Sequence, residues 1–470
     1  MEGAMRKRGI FSIVAAGVVA LFAGAAGWLA VAPPELLLVG DGYAAKIVCS
    51  NVFLAGRDAD EVLAQDVQAP GHPLLRLIHV SVDRERKVVT ARMFGFAAPG
   101  HAIYREGLGC TNVSPGEFAA FPGNRSLRRR TPQADDSKPW PDGSGARIEP
   151  VLQAVVEDDR LAGPGIRAVL VLRNGVIVAE RYGKGFAAST PLLGWSMAKT
   201  VTAAIIGLRV RDGAMALGRA DLLPDWRNDN RRRITLADLM AMQSGLAFNE
   251  NYGSVTDVTR MLFLENDMAR FAAAHPLAAD PGSQFSYSSG TAMVLSRLWM
   301  DSLPSPREAL TYPRAQLFRP LGMASAVIEP DAHGTFVGSS YMYATARDWG
   351  RFAQLLVQGG QWKGEALLPP GYVEAMRQPT AASGGRYGGG QVWTRPKDLA
   401  GPYPEDSFWM RGHDGQSIMI VPSLGLVVLR MGLTPRATGY EIEPLERAVL
   451  ERLPTLPSRA APAASASDAP

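Results

Sequence analysis

An uncharged apolar run near the N-terminus constrains this chain more than any other feature. The run covers Gly9–Pro34 and directly follows the basic stretch Arg6–Arg8. A helix of this length crosses a hydrocarbon core of about 30 Å, whereas the apolar core of a secretory signal normally has only about 7 to 15 residues. Ala30–Ala32 imitates a cleavage site, but Pro33 follows it immediately. We therefore predict a cytoplasmic stub and an uncleaved membrane anchor over residues 1–34, with a cleaved signal as the alternative.

The basic residues in front of the run predict its orientation. The positive-inside rule keeps Arg6–Arg8 in the cytoplasm and sends the remainder of the chain across the membrane. In a bacterium this places the chain after the run in the periplasm or on an outer cell surface. The membrane is thus one expected partner.

Composition excludes several classes of function. The 470 residues include 49 basic and 45 acidic ones, and the only basic blocks beyond the N-terminus are Arg128–Arg130 and Arg231–Arg233, which gives nucleic-acid binding little support. The histidines are scattered singly, and no Cys-x-x-Cys pair is present, so we predict neither a metal nor an organic cofactor. The length suffices for one domain of about 250 to 350 residues with extensions. The oligomeric state stays open.

The cysteines agree with export. Both of them, Cys49 and Cys110, precede the main domain. A disulfide between them is favoured in an oxidising compartment, and two unrelated buried thiols are the alternative.

Composition also divides the chain after the anchor into blocks. Two alternating stretches, Leu75–Val82 and Lys87–Phe94, flank a polar segment and predict a β-hairpin in an N-terminal region. A later segment rich in Pro, Gly, Ser, Asp and Arg predicts a linker, and the Ala, Ser and Pro residues at the C-terminus predict disorder. The predicted blocks are a small N-terminal β-containing region (35–121), a linker (122–147), the main catalytic domain (148–455) and a disordered tail (456–470).

The main domain begins and ends with predicted hairpins. At its start, Ala168–Leu172 and Val176–Glu180 flank Asn174-Gly175, a dipeptide that favours a tight turn because both residues tolerate positive φ. At its end, Ser417–Val421 and Leu426–Met431 flank Pro422–Gly425. Helical patterns occupy the middle and the C-terminal end, at Met197–Arg211, Leu236–Met242, Thr291–Met300, Ala346–Gln358 and Glu443–Leu453. We therefore predict an α/β (α+β) fold in which both ends of the domain build one antiparallel sheet around a helical insertion.

Chemistry concentrates at the predicted start of the first long helix of the main domain. Ser196 and Lys199 are three residues apart there, so their side chains lie on one face of the helix. A serine hydroxyl becomes nucleophilic only when a base takes its proton, and a partly buried lysine with a lowered pKa can do so. The helix N-terminus would favour a developing oxyanion. Ser-x-x-Lys alone is a weak pattern, and a serine cap followed by an exposed lysine is the alternative interpretation.

Further sequence blocks give this pair a context. Together they resemble the penicillin-binding and β-lactamase family of serine hydrolases, in which Ser-x-x-Lys is a signature. The nearest branch is the one that holds class C β-lactamases, D-alanyl carboxypeptidases, family VIII esterases and 6-aminohexanoate-dimer hydrolases. The resemblance covers about residues 150–450 and implies a β-lactamase/transpeptidase-like fold. Its blocks, in order, are Gly194–Lys199, Met242–Leu246, Phe285–Gly290, Phe318–Met323, Ala344–Asp348 and Gly412–Gln416.

The resemblance implies roles for individual residues. Tyr287 matches the tyrosine that shuttles protons beside the serine and the lysine. Ser289 stands where many β-lactamases have asparagine, and Trp195 is expected to line the substrate site. The main-chain N–H groups of Ser196 and Gln416 would form the oxyanion hole.

A departure from the family pattern bears on the substrate. His413-Asp414-Gly415 stands where β-lactamases have Lys-Thr-Gly on a strand that edges the pocket. The resemblance implies that these three residues contact substrate and that the glycine keeps the strand open to it. A histidine is mostly neutral at pH 7 and Asp414 would repel an anion, so selection for a substrate carboxylate is expected to be weak. We therefore predict an esterase or a 6-aminohexanoate-dimer-hydrolase-like amidase, with a cell-wall carboxypeptidase or β-lactamase as the enzymatic alternative and a non-catalytic sensing module as the other.

Overall fold

The computed structural model describes residues 2–69, 71–114, 116–118 and 138–453, and the side chains of residues 2–12 are not described. The predicted tail, residues 456–470, and most of the predicted linker lie outside these ranges. The N-terminal part contains α1 (Glu2–Val31), α2 (Glu35–Phe53), α3 (Ala59–Val62), β1 (Ile78–Asp83), β2 (Val88–Met93), β3 (Ala97–Arg105) and β4 (Gly109–Val113).

The remainder holds twelve further helices and eleven further strands among the described residues. The helices are α4 (Pro150–Glu157), α5 (Asp159–Ala162), α6 (Ala198–Arg211), α7 (Leu236–Met240), α8 (Asp257–Phe263), α9 (Met268–Ala273), α10 (Ser289–Asp301), α11 (Pro306–Pro313), α12 (Arg319–Leu321), α13 (Ala346–Val357), α14 (Tyr372–Met376) and α15 (Glu443–Arg452). The strands are β5 (Ile166–Arg173), β6 (Val176–Tyr182), β7 (Leu192–Leu193), β8 (Val327–Ile328), β9 (Met342–Ala344), β10 (Gln361–Trp362), β11 (Glu365–Ala366), β12 (Trp393–Thr394), β13 (Phe408–Gly412), β14 (Gln416–Val421) and β15 (Leu426–Gly432).

The central sheet joins the two ends of the main domain, as the hairpins predict. Its six antiparallel strands have the order β12-β13-β14-β15-β5-β6, so the last strand of the chain pairs with the first strand of this domain. Asn174 and Gly175 make the predicted turn with φ of 48° and 74°. The helical insertion lies between β6 and β13 and contains α6, α7, α10 and α13, which confirms the predicted architecture.

Both faces of the sheet are buried, and successive side chains of β5 point alternately to the hydrophobic core on one face and to the core on the other. Leu170 and Leu172 face the larger core, which α13 and α6 also line. Val169 and Val171 face the opposite side, where α4 and α15 supply Leu152, Leu445 and Val449. Successive strand residues point to opposite faces, so a strand buried on both sides is apolar throughout.

The N-terminal region contains a helix that the sequence analysis missed. The predicted hairpin is present as β1 and β2, within the antiparallel sheet β1-β2-β3-β4. Helix α2 packs across this sheet and is mostly buried. Its sequence contains several Gly, Ala and Ser residues and shows no apolar stripe along one face. A helix buried nearly all round needs no such stripe, which is why the pattern did not reveal it.

Two N-terminal helices are long and apolar enough to cross a membrane. The span Ile13–Val31 in α1 contains no buried residue, whereas α2 is the buried core helix of the N-terminal region. The length and composition of α1 fit either a membrane anchor or a signal sequence.

The predicted linker needs a correction at its C-terminal end. Residues 138–147 pack against the main domain, and Trp140 is only 2% exposed there. The buried Arg351 guanidinium donates to the carbonyl oxygens of Pro141 (2.9 Å) and Gly143 (3.2 Å). The composition of this segment predicts its irregular backbone. It does not predict which groups donate hydrogen bonds to its carbonyl oxygens.

Candidate active site

The backbone bends sharply just before Ser196. Trp195 adopts a positive φ of 48°, a conformation that costs a bulky residue about 1 to 3 kcal/mol. Gly194 precedes it because a Cβ there would lie 2.3 Å from the ring of the buried Trp349. Ser196 then occupies a short 3-10 turn, Trp195–Met197, that leads into α6 and leaves the hydroxyl half-exposed.

Lys199 lies one turn further along and is buried beneath the serine. Its Nζ donates to Ser196 Oγ, Ser289 Oγ and the Ser339 carbonyl oxygen, each at 3.0 Å. The side chain is 1% exposed, and burial lowers the pKa of Lys199 to about 8, against the opposing effect of the Glu250 carboxylate. A lysine in this state is an available base near neutral pH.

Tyr287 completes the predicted trio. Burial, the largest effect, and the nearby Glu250 carboxylate raise the pKa of the Tyr287 phenol, while the neighbouring Ser196 side chain opposes the rise. The ring centre is 4.8 Å from Lys199 Nζ, and the ring stacks on Trp393 with centroids 5.4 Å apart. The structure therefore brings Ser196, Lys199 and Tyr287 together from two separate helical segments and the loop before α10.

Glu250 is a site residue to which the sequence analysis assigned no role. Its carboxylate accepts hydrogen bonds from the main-chain N–H of Ser289 (2.7 Å) and from Ser289 Oγ (2.5 Å). Burial raises the pKa of Glu250, and the charge of Lys199 opposes that rise. Ser289 thus links Lys199 to the Glu250 carboxylate. In the sequence, Glu250 is recognisable as an acidic residue in the segment 245–252, which lies within the part of the chain that resembles the family.

The segment after β13 differs from the prediction. His413-Asp414-Gly415 forms a turn between β13 and β14, with φ of 56° at Asp414 and 81° at Gly415, and not a strand. The positive φ values prevent the extended conformation that a strand edge requires. The strand pairing resumes at Gln416, which lies opposite Gly412.

The glycines of this segment have different roles from the one expected of Gly415. A Cβ on Gly415 would approach Arg430 and Thr434, whereas a Cβ on Gly412 would lie 2.3 Å from the Gly194 carbonyl oxygen. Gly412 therefore permits the close approach of β13 to the backbone just before Ser196. Gly415 is needed for its left-handed φ.

The side chains of this turn have different surroundings, and that of His413 lies next to the residue that precedes Ser196. His413 is 41% exposed, and its ring lies 4.7 Å from that of Tyr252 and 5.6 Å from that of Trp195, between centroids. Burial raises the pKa of Asp414, while His413 and Arg167 oppose the rise. The Gln416 side chain turns inward, where it donates to the His413 carbonyl oxygen at 3.0 Å.

The predicted disulfide is present in the N-terminal region. Cys49 of α2 and Cys110 of β4 are bonded to each other, with their Cα atoms 6.1 Å apart.

The fold and the comparisons now define the class of protein. An antiparallel sheet formed by both domain ends, flanked by helices, is the β-lactamase/transpeptidase-like fold. The β-lactamase family profile matches residues 154–438, more than half of the chain, and the protein therefore belongs to the β-lactamase family, as the sequence resemblance predicts.

Individual relatives fall on several branches of that family. The 6-aminohexanoate-dimer hydrolase of Paenarthrobacter ureafaciens is 24% identical over 309 residues, which cover 59% of this chain and 75% of that protein. A structure assigned as a 6-aminohexanoate-dimer hydrolase from Bacillus anthracis superposes with a TM-score of 0.54 at 23% identity, covering 64% of this chain and 83% of that one. A penicillin-binding protein homologue from Caulobacter crescentus has a TM-score of 0.50 at 16% identity, covering 66% and 99%. These structures share the fold with this β-lactamase-family hydrolase.

Proposed function

We propose that this protein is a serine hydrolase that forms an acyl-enzyme on Ser196. The observation that carries the proposal is the 3.0 Å contact between Lys199 Nζ and Ser196 Oγ, at a lysine whose burial lowers its pKa to about 8. A fraction of Lys199 is neutral near pH 7 and can accept the serine proton.

The proposed reaction is acyl transfer in two steps. Lys199, with Tyr287, takes the proton of Ser196, and the serine oxygen attacks the carbonyl carbon of the substrate. The main-chain N–H groups of Ser196 and Gln416 stabilise the oxyanion. Tyr287 returns a proton to the leaving amine or alcohol, and water then hydrolyses the ester bond to Ser196. No step requires a metal.

The residues around Ser196 favour an ester or amide substrate. They do not favour a substrate with the carboxylate that the lysine of Lys-Thr-Gly binds in β-lactamases. His413 takes that position, and Asp414 and Glu250 add acidic groups around it. The 24% identical relative is named for hydrolysis of an aminohexanoate dimer, an amide with a free amine at one end and, at the other, a carboxylate that a methylene chain separates from the amide. We propose the same substrate class: short esters and neutral or amine-bearing amides.

Labelling with a fluorophosphonate probe tests the nucleophile. We expect the wild-type chain to be labelled and Ser196→Ala to be unlabelled, while Ser286→Ala, an exposed serine in the loop near Tyr287, keeps full labelling. Peptide mapping should place the probe on Ser196. An unlabelled wild-type protein with native unfolding behaviour would support a sensing module instead.

A substrate panel tests the class. It contains p-nitrophenyl esters, the aminohexanoate dimer, a chromogenic cephalosporin and a peptide ending in D-Ala-D-Ala. We expect turnover of the first two, and His413→Lys should shift activity toward the last two, in which a carboxylate lies close to the amide that is cleaved. Efficient cephalosporin hydrolysis with little esterase activity contradicts the proposal, and D-alanine release identifies a carboxypeptidase.

We also propose that α1 anchors the protein with its catalytic domain outside the cytoplasm. The exposed apolar span Ile13–Val31 and the basic residues in front of it support this arrangement. After alkaline carbonate extraction the intact chain should stay with the membranes and be open to protease from the outer side. A soluble product that lacks about thirty N-terminal residues would show a cleaved signal instead.

A further inference from the structure

The N-terminal region, residues 35–113, lies outside the family match and yet reaches into the catalytic domain through a buried ion pair. Lys46 of α2 binds Glu329, which directly follows β8, and the two side chains are 1% and 0% exposed. Lys46 also lies 4.2 Å from the centre of the Tyr341 ring. Burial of two charges is costly unless each finds several partners.

Among the described residues, the further hydrogen-bond donors to the Glu329 carboxylate come from the N-terminal region. Ser50 Oγ donates to it at 2.9 Å, and the main-chain N–H of Cys110 donates at 2.6 Å. Gly109 lies so close that a Cβ there would be 2.4 Å from Glu329 Oε1. Ser50 and Cys110 adjoin or belong to the Cys49–Cys110 disulfide, which ties the two donors into one unit.

Glu329 is also the first residue of a loop that reaches Lys199. We call residues 329–341, between β8 and β9, the support loop. The main-chain N–H of Glu329 donates to the Tyr341 carbonyl oxygen, and that of Val337 donates to the Glu329 carbonyl oxygen, both at 2.9 Å. These bonds close the loop on both sides of Ser339, whose carbonyl oxygen accepts from Lys199 Nζ at 3.0 Å.

We propose that Lys46 and Glu329 are positioning residues: through the support loop, the N-terminal region fixes the Ser339 carbonyl against Lys199 and thereby sets the protonation of that lysine. The catalytic consequence rests on the proposed role of Lys199 as the base. The N-terminal region is then a required part of the active site, although the family profile does not include it.

The sign of the effect follows from the chemistry of the contact. A carbonyl oxygen that accepts from an ammonium group favours the charged form, so loss of the Ser339 contact lowers the pKa of Lys199. The other groups that face Lys199 are Tyr287 and the Glu250 carboxylate, and His413 and Tyr252 face Glu250 in turn. None of these groups changes in the variants below.

The test is an NMR titration of the full-length protein in detergent, with lysine labelled at the ε-carbon and the Lys199 signal assigned by its loss in Lys199→Met. We expect the Lys199 pKa to fall by about one unit in Lys46→Met and in Gly109→Ala, as befits an ammonium that loses one hydrogen bond. An unpaired negative Glu329 in Lys46→Met would act in the opposite direction, so a fall reports displacement of the loop.

Matched variants separate positioning from general damage. Gly56→Ala introduces the same strain at positive φ in the N-terminal region, but nothing lies within 4 Å of its Cβ, and it should leave the Lys199 titration unchanged. Lys46→Met/Glu329→Gln removes both charges and keeps an acceptor for Cys110 N–H, so it should return the pKa toward the wild-type value.

An unchanged Lys199 pKa in folded Gly109→Ala, or equal shifts in Gly109→Ala and Gly56→Ala, would overturn the proposal. If the single variants fail to fold, a shifted pKa in the charge-free double variant would overturn it as well. The titration needs no reaction at Ser196, so the absence of fluorophosphonate labelling would refute the proposed hydrolase and leave the titration result standing.

Discussion

At the scale of single residues, the protonation of Lys199 is a balance between burial and contacts. Burial lowers the pKa of Lys199 to about 8 because it disfavours the ammonium, while Glu250 partly restores the charged form. The sequence supplies the lysine, but the balance depends on groups 51 and more residues away in the chain. Two residue substitutions test it.

Replacing Glu250 with Gln should move the pH dependence of Ser196 acylation. The reaction needs neutral Lys199, so the wild-type rate should rise with pH through a midpoint near 8. Without the carboxylate the Lys199 pKa falls, and the midpoint moves to lower pH. The measurement is the fluorophosphonate labelling rate from pH 5 to pH 10, with the exposed Glu61→Gln as control. A midpoint that rises or stays fixed would contradict this account.

Replacing Tyr287 with Phe removes the phenol and keeps the ring that stacks on Trp393. We expect kcat for esters or amides to fall by about 10²- to 10⁴-fold, the usual contribution of a proton-transferring group. The free energy of unfolding should barely change. Tyr182→Phe, which loses a hydroxyl bonded to Glu180 at 2.9 Å, is the control and should retain activity. Wild-type turnover in Tyr287→Phe would exclude a proton shuttle at this position.

At the scale of secondary-structure elements, α15 carries a charge-bearing residue into the core under the central sheet. Glu446 is 0% exposed and accepts from Trp409 Nε1 of β13 at 2.9 Å. Burial raises the pKa of Glu446 to about 7. The folded state therefore holds a proton that the unfolded state releases at lower pH, and packing of α15 becomes pH-dependent.

The raised pKa of Glu446 makes the free energy of unfolding depend on pH. The pKa of Glu446 rises on folding from 4.5 to about 7, so its contribution is fully present below pH 4.5 and is lost as the pH rises to about 7. Glu446→Gln keeps an acceptor for Trp409 without this loss. At pH 8 we expect its free energy of unfolding to exceed that of the wild type by about 1 to 3 kcal/mol, with no such gain at pH 5. Urea denaturation at both pH values measures this, with the exposed Glu441→Gln as control; an equal effect at both values would contradict it.

At the scale of the whole molecule, the N-terminal region and the catalytic domain share one hydrophobic core. That core runs from Val48 and Val62 through Ile328 to Leu170 of the central sheet. The Lys46–Glu329 pair adds to the connection, and the Cys49–Cys110 disulfide closes a sequence separation of 61 residues within the N-terminal region. Two parts that share a core are expected to unfold together.

Removing the disulfide tests this unity. The double variant Cys49→Ser/Cys110→Ser should unfold in one transition, with a free energy of unfolding lower by about 2 to 5 kcal/mol, because closing a long loop restricts the unfolded chain. Calorimetry and urea denaturation followed by tryptophan fluorescence measure it. Wild-type protein kept in reductant should behave like the variant. Two separate transitions in the variant would show that the N-terminal region folds independently.

The sequence by itself determined what depends on neighbours along the chain. Turn chemistry at Asn174-Gly175 and the period of apolar residues predicted the hairpins and the main helices. The three-residue spacing of Ser196 and Lys199 placed both side chains on one helical face. Ordered motif blocks predicted the family. The longest apolar run predicted a membrane-type helix, whose retention stays a prediction.

Tertiary structure alone decided what depends on distant partners. The approach of Glu250 to Lys199 through Ser289, and the pairing of Lys46 with Glu329 across 283 residues, follow no periodicity that a sequence displays. The left-handed φ of Asp414 likewise turned an expected strand into a turn. Helix and hairpin patterns reflect local backbone geometry, whereas the energy of a buried charge depends on which remote groups the fold brings within hydrogen-bonding distance.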